Sequence, residues 1–388
     1  MISYKDHFAR ALAGAPGRLH LAAHSHHLWP DVSQLGQMAA WQDAATLWDA
    51  KWNRIFAEVL PQAQRHIAAH LNLPDPATIA VAPNTHDLLR RLLSCCPPGR
   101  PPRVLTTDSE FHSLSRQLAR LAEDGLVVVQ SVAVQPFDSF VRRFAAAAAA
   151  ADHDLIYLSA VFFNSAWAVP DLAAIVAAAP AAALVAIDGY HGFMARPTDL
   201  AAIQHRAFYL AGGYKYAMAG EGVCFMHCPP GIAPRPRDTG WYAGFGALAA
   251  GGDVGYGTDG SRFLGATFDP SGLYRLNAVM DWLAALGLTA ADIHARVTTL
   301  AAALVGALDA ARLPGFAAAD LVVPLSESSR GNFLAYRSPH ADRHQARLMA
   351  AGIVTDRRGD TLRLGLGLYH DAADIPPIAA RIAAALRD

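Results

Sequence analysis

The chain has 388 residues, 53% hydrophobic and 17% charged, which rules out disorder and supplies core for two domains at roughly 150 residues each. Its 32 Lys and Arg against 33 Asp and Glu leave a net charge of −1, without the basic excess of a nucleic-acid binder. Four Cys are no disulfide framework, and the apolar stretches 155–170 and 172–187 fall short of the ~20 residues of a spanning helix. The N-terminus is charged throughout and shows no apolar signal region, so a cytoplasmic protein without a membrane partner is expected.

Near the N-terminus, Trp41, Trp48 and Trp52 recur at near-helical spacing and read as core or dimer contact. From residue 79 onward short apolar runs alternate with helical patterns. Strands are predicted at 79–82, 103–107, 126–132, 154–159, 183–187, 207–211 and 222–227. Helices are predicted at 86–95, 112–124, 137–151, 171–179 and 198–206. Strands that are apolar throughout and separated by helices imply a mostly parallel sheet covered on both faces. The segment 229–272 is rich in Gly and Pro, has no period, and reads as a long loop, functional or mobile. Helical patterns follow at 272–286 and 292–311, and the tail reads as α+β with strands near 321–325, 332–337 and 361–366. The expected division is a large α/β domain over 45–275 and a small α+β domain from 1–44 and 276–388.

Three clusters could carry chemistry. After the strand 79–82, Asn84-Thr85-His86-Asp87 opens a helix with good capping residues. Read alone it is an ordinary capped helix, but its free N–H groups could hold a phosphate. The strand 183–187 runs into Asp188-Gly189-Tyr190-His191, and the strand 207–211 into Gly212-Gly213-Tyr214-Lys215-Tyr216. Singly, Asp188 reads equally as a loop carboxylate and Lys215 as a surface lysine. A lysine desolvated at a strand end would have a lowered pKa and become a Schiff-base nucleophile. Together, a strand-end Asp, a strand-end Lys and an upstream phosphate turn form the arrangement that pyridoxal phosphate requires.

The run from Asp188 to His227 resembles the fold-type-I, class V aminotransferase superfamily of pyridoxal-phosphate enzymes. Within it, Tyr214-Lys215-Tyr216 is more similar to kynureninase than to the cysteine desulfurases. Other segments are similar too. Asn84-Thr85-His86-Asp87 resembles the phosphate cup. Glu110-Phe111-His112-Ser113 resembles the segment with the ring-stacking aromatic, and Val161-Phe162-Phe163-Asn164-Ser165 the strand-end loop before the cofactor. Thr239-Gly240-Trp241-Tyr242 resembles Gly-Trp-Trp, Gly265-Ala266-Thr267 a Gly-Thr-Pro region, and Leu362-Arg363-Leu364 the segment with the substrate-carboxylate Arg.

The resemblance implies pyridoxal 5'-phosphate as cofactor, a homodimer, and a role for each matched residue. Lys215 would bind the cofactor covalently and move the Cα proton. Asp188 would pair with the pyridine nitrogen, His191 would lie beside the ring and Phe111 would stack on it. Thr85, His86, Tyr214, Trp241 and Thr267 would hold the phosphate. Arg363 would clamp the substrate carboxylate, His24 would contact substrate, and Tyr214 would donate a proton.

Departures bear on the substrate. Kynureninase has an Asp where this chain has Leu114, and the His after its Gly-Trp-Trp is absent. His24, His26 and His27 look metal-like, but no Cys or carboxylate cluster lies nearby, so they read as loop histidines and no metal is expected. Cys224 and Cys228 read as core. No Cys occurs in the last 160 residues, where a desulfurase would keep its persulfide Cys. The expected activities are kynureninase-like hydrolysis, transamination, or a non-catalytic protein retaining the fold.

Overall fold

The computed structural model describes residues 2–249 and 252–387. Its strands are Leu19–His20 (β1), Ile79–Ala82 (β2), Arg103–Thr107 (β3), Val128–Val132 (β4), Leu155–Ser159 (β5), Leu184–Asp188 (β6), Ala207–Gly212 (β7), Cys224–His227 (β8), Leu334–Arg337 (β9), Ile353–Val354 (β10), Asp356–Arg358 (β11) and Thr361–Leu364 (β12). Seven of them form one sheet in the order β2-β8-β7-β6-β5-β3-β4. Pairing is parallel from β4 through β7, and antiparallel where β8 joins β7 and β2.

Strands β5, β7 and β8 are buried along their whole length, because helices cover both faces of the sheet. Alternate side chains go to opposite cores. Leu105, Ile156, Leu158, Val185, Ile187 and Tyr209 pack with Phe140, Phe144 and Ile175 of the helices Phe140–Ala149 and Leu172–Ala178. Val104, Leu155, Tyr157, Ala186, Phe208 and Leu210 face the other way, onto Leu88, Leu92, Leu114 and Leu118 of Thr85–Leu93 and His112–Glu123. The connections from β5 run one way along the sheet and that from β3 to β4 runs the other, so a crevice opens at the carboxyl ends of β3 and β5.

A second, antiparallel sheet has the order β11-β12-β9, and β1 pairs in parallel with β10, which ties the N-terminal segment to the C-terminal third. Helix Ala290–Ala310 is long and apolar enough to cross a membrane; here Ile293, Val297, Leu300, Leu304 and Leu308 are buried in the core.

Two predicted elements are absent. Residues 198–200 are irregular and 201–206 form successive turns, because Asp199 accepts the Ala201 amide and the Leu200 amide is drawn to the carbonyl of Leu71. Residues 321–325 make only a bridge between Leu321 and Tyr336, and Pro324 has no N–H with which to extend it. The loop 229–272 holds two short 3-10 turns, Trp241–Ala247 and Gly260–Phe263. Gly240 is required there, since a Cβ would lie 2.2 Å from the carbonyl carbon of Gly265.

Candidate active site

A cavity of about 210 Å³ opens at the carboxyl ends of the parallel strands and brings together Thr85, His86, Phe111, Asp188, His191, Tyr214 and Lys215. Asp188 is the last residue of β6, and Lys215 follows β7 by three residues. Between them, Gly212 lets the chain pass under Tyr190, since a Cβ there would stand 2.3 Å from the Tyr190 hydroxyl oxygen.

Lys215 is only 6% exposed, and its Nζ lies 4.4 Å from the ring centroid of Tyr190 and 5.8 Å from that of Phe111. Burial lowers its pKa to about 7, although the carboxylate of Asp188 pulls the other way. Asp188 accepts from the Tyr190 amide at 2.9 Å and from the Tyr157 hydroxyl at 3.1 Å. Burial raises its pKa; the Tyr190 amide, Lys215 and Tyr157 oppose the rise. Burial drives His191 well below the usual histidine range, so it is a neutral imidazole.

The start of the helix Thr85–Leu93 also lines the cavity. Asn84 caps it by accepting the Asp87 amide at 2.9 Å, leaving Thr85 and His86 on the wall. Tyr214 stacks on His26 at 4.8 Å, and burial raises its hydroxyl to about 12. Phe111 meets Phe163 edge-on at 5.4 Å.

Several residues near this site were not singled out from sequence. Tyr157 and Ser159 alternate on β5, and Ser159 pairs with Asp188, so the three share one face of the sheet. Glu110 is buried behind them and accepts from the Thr107 hydroxyl at 2.7 Å, the Ser159 amide at 3.1 Å and the Ser159 hydroxyl at 2.6 Å. Burial raises its pKa to about 7. A polar residue at alternate positions of an apolar strand was the available signal for Tyr157 and Ser159. Cys224, read as core, is buried but also lines the cavity, 3.4 Å from the Tyr190 hydroxyl.

Trp241 and Thr267, expected at the phosphate, do not line this cavity. Both lie outside the cavity, in the loop 229–272, where Trp241 is half exposed and stacks on Tyr242 at 4.1 Å. Arg363 and His24 are buried beside the cavity rather than on its wall. Arg363 carries charge influence to the site, since it lowers the pKa of His191. The three N-terminal histidines diverge. His24 stacks on Phe333, His26 on Tyr214, and His27 packs edge-on against Tyr369. Leu114 is buried in the core under its helix and cannot reach a ligand.

Residues 293–382 match the family model described as the kynureninase C-terminal domain. A kynureninase of Deinococcus radiodurans is 29% identical over 228 residues, covering 56% of this chain and 53% of that protein; the match spans about half the relative's length. Among solved structures, a lysine-to-alanine mutant of C-DES with glycine covalently linked to its PLP cofactor superposes with a TM-score of 0.80 at 18% identity, covering 98% of this chain and 99% of that one. The apo cysteine desulfurase of Thermococcus onnurineus superposes with a TM-score of 0.77 at 13% identity, covering 100% and 99%. The chain therefore has the α/β fold of the fold-type-I pyridoxal-phosphate enzymes, with a C-terminal segment of kynureninase type.

Proposed function

We propose that the protein is a pyridoxal 5'-phosphate-dependent enzyme acting on an α-amino acid, with kynureninase-like hydrolytic Cβ–Cγ cleavage as its reaction. The observation that carries the cofactor reading is the convergence of Lys215 and Asp188, from adjacent strand ends, on one cavity walled by Phe111. The residues fit the group. There is an aromatic side chain for the ring, a carboxylate, a helix N-terminus, and a lysine whose pKa burial holds near neutrality.

Pyridoxal phosphate bound there supplies an electron sink for breaking bonds next to an amino-acid Cα. Lys215 would hold it, and its amine would carry a proton to and from the substrate Cα. Asp188, oriented by Tyr157 and the Tyr190 amide, keeps the pyridine nitrogen protonated. Phe111 would cover the ring, and His191 would serve it as a neutral hydrogen-bonding group. Thr85, His86 and Tyr214 would hold the phosphate. Arg363 binds the substrate carboxylate, and the Tyr214 hydroxyl is the proton donor to the departing fragment.

The hydrolytic reading is supported by the C-terminal match, which includes Arg363, by the Deinococcus relative, and by Tyr214-Lys215-Tyr216. Buried Leu114, where kynureninase has an Asp, means that the distal end of the substrate is read differently. The second reading is transamination, which uses the same lysine and arginine. The desulfurase neighbours support the fold alone, and the last 160 residues hold no Cys for a persulfide. A homodimer is part of the proposal: Leu35, Met38 and Trp41 form an exposed apolar stripe on the helix Val32–Leu47 that a second copy would cover.

The test is the visible spectrum of the purified protein with pyridoxal phosphate, followed by incubation with kynurenine, 3-hydroxykynurenine and a panel of plain amino acids. An anthranilate-type product together with alanine is expected. Pyridoxamine phosphate with a keto acid and no aryl product would replace hydrolysis by transamination. A colourless protein that takes up no pyridoxal phosphate would end the cofactor reading, and a coloured one silent to every amino acid would leave a non-catalytic protein.

A further inference from the structure

Arg363, proposed above as the seat of the substrate carboxylate, already holds a carboxylate of its own chain. It lies on β12 opposite Asp356 of β11 in antiparallel register. Its Nη1 donates to the carbonyl of Phe163 and its Nη2 to Asp356 Oδ2, while its buried Nε has no partner. The other oxygen of Asp356, Oδ1, accepts from Arg358 Nη1 at 2.6 Å and from the Arg357 amide at 2.7 Å. Asp356 is therefore anchored through Oδ1 independently of Arg363.

The imidazole of His24 stands beside this pair. It is fully buried, stacked on Phe333 at 4.5 Å, and its Nε2 is 3.9 Å from Asp356 Oδ2. Among the described residues, neither of its nitrogens has a hydrogen-bond partner. The fit is close, since a Cβ on Gly365 would come within 2.2 Å of His24 Nδ1. Burial and the nearby arginine keep the ring neutral, with one N–H to donate. A buried donor with no acceptor costs free energy in the resting protein and calls for an explanation.

We propose that Asp356 is a resident carboxylate on the substrate-carboxylate seat, and that His24 receives it when a ligand carboxylate takes the Nε–Nη2 edge of Arg363. The incoming group makes a side-on bidentate pair with the free Nε and the vacated Nη2. Asp356 Oδ2 closes the gap to His24 while Oδ1 stays on Arg358, and Nη1 keeps the Phe163 carbonyl. Both orphan donors are then satisfied. Arg358, Arg363 and Asp356 sum to +1 before binding and the cluster to zero after it, so no proton need be taken up. Only an anionic end displaces Asp356, which makes the seat selective for amino acids with a free α-carboxylate over the corresponding amines and amides.

The inference rests on the reading of Arg363 as a carboxylate seat, and its test is separate from the cofactor test. Propionate, which has no amine to react with the cofactor, is titrated calorimetrically into the protein as purified, and propionamide serves as the control. Asp356→Asn is expected to bind propionate about tenfold more tightly than wild type, because the anionic competitor is gone. His24→Phe, which keeps the stacked ring but has no N–H, is expected to weaken binding about tenfold when Asp356 is present and to have no effect in the Asp356→Asn background. His24→Gln restores a donor and is expected to recover part of the loss. The coupling between the two sites, measured only among variants with wild-type melting temperatures, distinguishes the exchange from a general loss of packing. Weaker binding by Asp356→Asn, an equal effect of His24→Phe in both backgrounds, equal binding of propionamide, or no propionate binding in either wild type or Asp356→Asn would each overturn the proposal.

Discussion

The ammonium-bearing end of Lys215 lies over the face of Tyr190, with Nζ 4.4 Å from the ring centroid. The contact is a product of topology: β6 delivers Asp188 and then Tyr190, β7 delivers Lys215, and the two strands are parallel neighbours. The same closeness removes water from the amine. Desolvation outweighs the attraction of Asp188, and the lysine is left with a pKa of about 7.

The first prediction follows from that pKa. The neutral amine is the nucleophile, so the rate of pyridoxal-phosphate attachment is expected to rise about tenfold per pH unit below 7 and to level off above it. An ordinary lysine would keep rising toward 10.5, the unperturbed value. Stopped-flow absorbance between pH 5.5 and 9.5, varying only pH (roughly the range in which such a plateau is visible), reads the inflection. Lys215→Ala is expected to retain only cofactor that dialysis removes, and borohydride should label Lys215 in the wild type.

Asp188 carries the second. Asp188→Asn is expected to fold but to lose about 100-fold or more of turnover, because the electron sink is no longer held protonated. It also removes the carboxylate that raises the Lys215 pKa, so the attachment inflection should move to lower pH. Tyr157→Phe deletes one hydrogen bond to Asp188 and should cost only roughly 3- to 10-fold. Wild-type turnover by Asp188→Asn would remove this residue from the site.

Lys215 and Asp188 were legible in the sequence because each ends an apolar strand and is followed or preceded by glycines. Strand ends in a parallel sheet are where ligands bind. Phe111, Thr85, His86, His191 and Tyr214 came with the motifs around them and meet in one cavity. Asp356 was not legible, since its pairing with Arg363 depends on the register of the hairpin β11–β12. Glu110 lies in a loop and reveals its role only when β3 and β5 are set side by side. Trp241 and Thr267 lie off this cavity's wall, and the segment 229–272 has no period by which a side chain could be assigned to a face. The segment 198–206 has a helix-compatible composition, and a tertiary hydrogen bond to Leu71 decided against the helix.

Glu110 gives the third prediction. Its folded pKa, about 7, lies above its ordinary value of 4.5. A carboxyl shifted this way contributes its stability fully below the unfolded pKa and loses it as pH rises through the folded one. Stability should therefore carry a component that falls between pH 4.5 and 7. Glu110→Gln keeps an oxygen acceptor for Thr107 and Ser159 and cannot ionise, so it should remove that component. Urea midpoints at pH 5 and 7.5, roughly bracketing the window, measure the difference between wild type and variant. An unchanged difference would mean that Glu110 ionises as freely in the folded chain as in the unfolded one.

The last prediction concerns the helix Val32–Leu47. Its inner side meets the helix Ser271–Ala285, where Gly36 passes so close that a Cβ would lie 2.5 Å from the Tyr274 carbonyl oxygen. Its outer side leaves Trp41 63% exposed, with Met38 about one turn and Leu35 nearly two turns before it. Trp48, just past the helix, is 78% exposed. Large apolar side chains gathered on one helix face mark an interaction surface, and the proposed occupant is a second copy of this chain. The protein is expected to sediment as a dimer. Met38→Glu and Trp41→Glu place charges where a buried interface would have to desolvate them, at a cost of several kcal/mol. Each should shift the chain toward monomer while leaving the far-ultraviolet spectrum unchanged, because neither side chain packs inside its own subunit. A wild-type protein that sediments as a monomer at micromolar concentration, or a dimer indifferent to both charges, would show that this face serves something other than self-association.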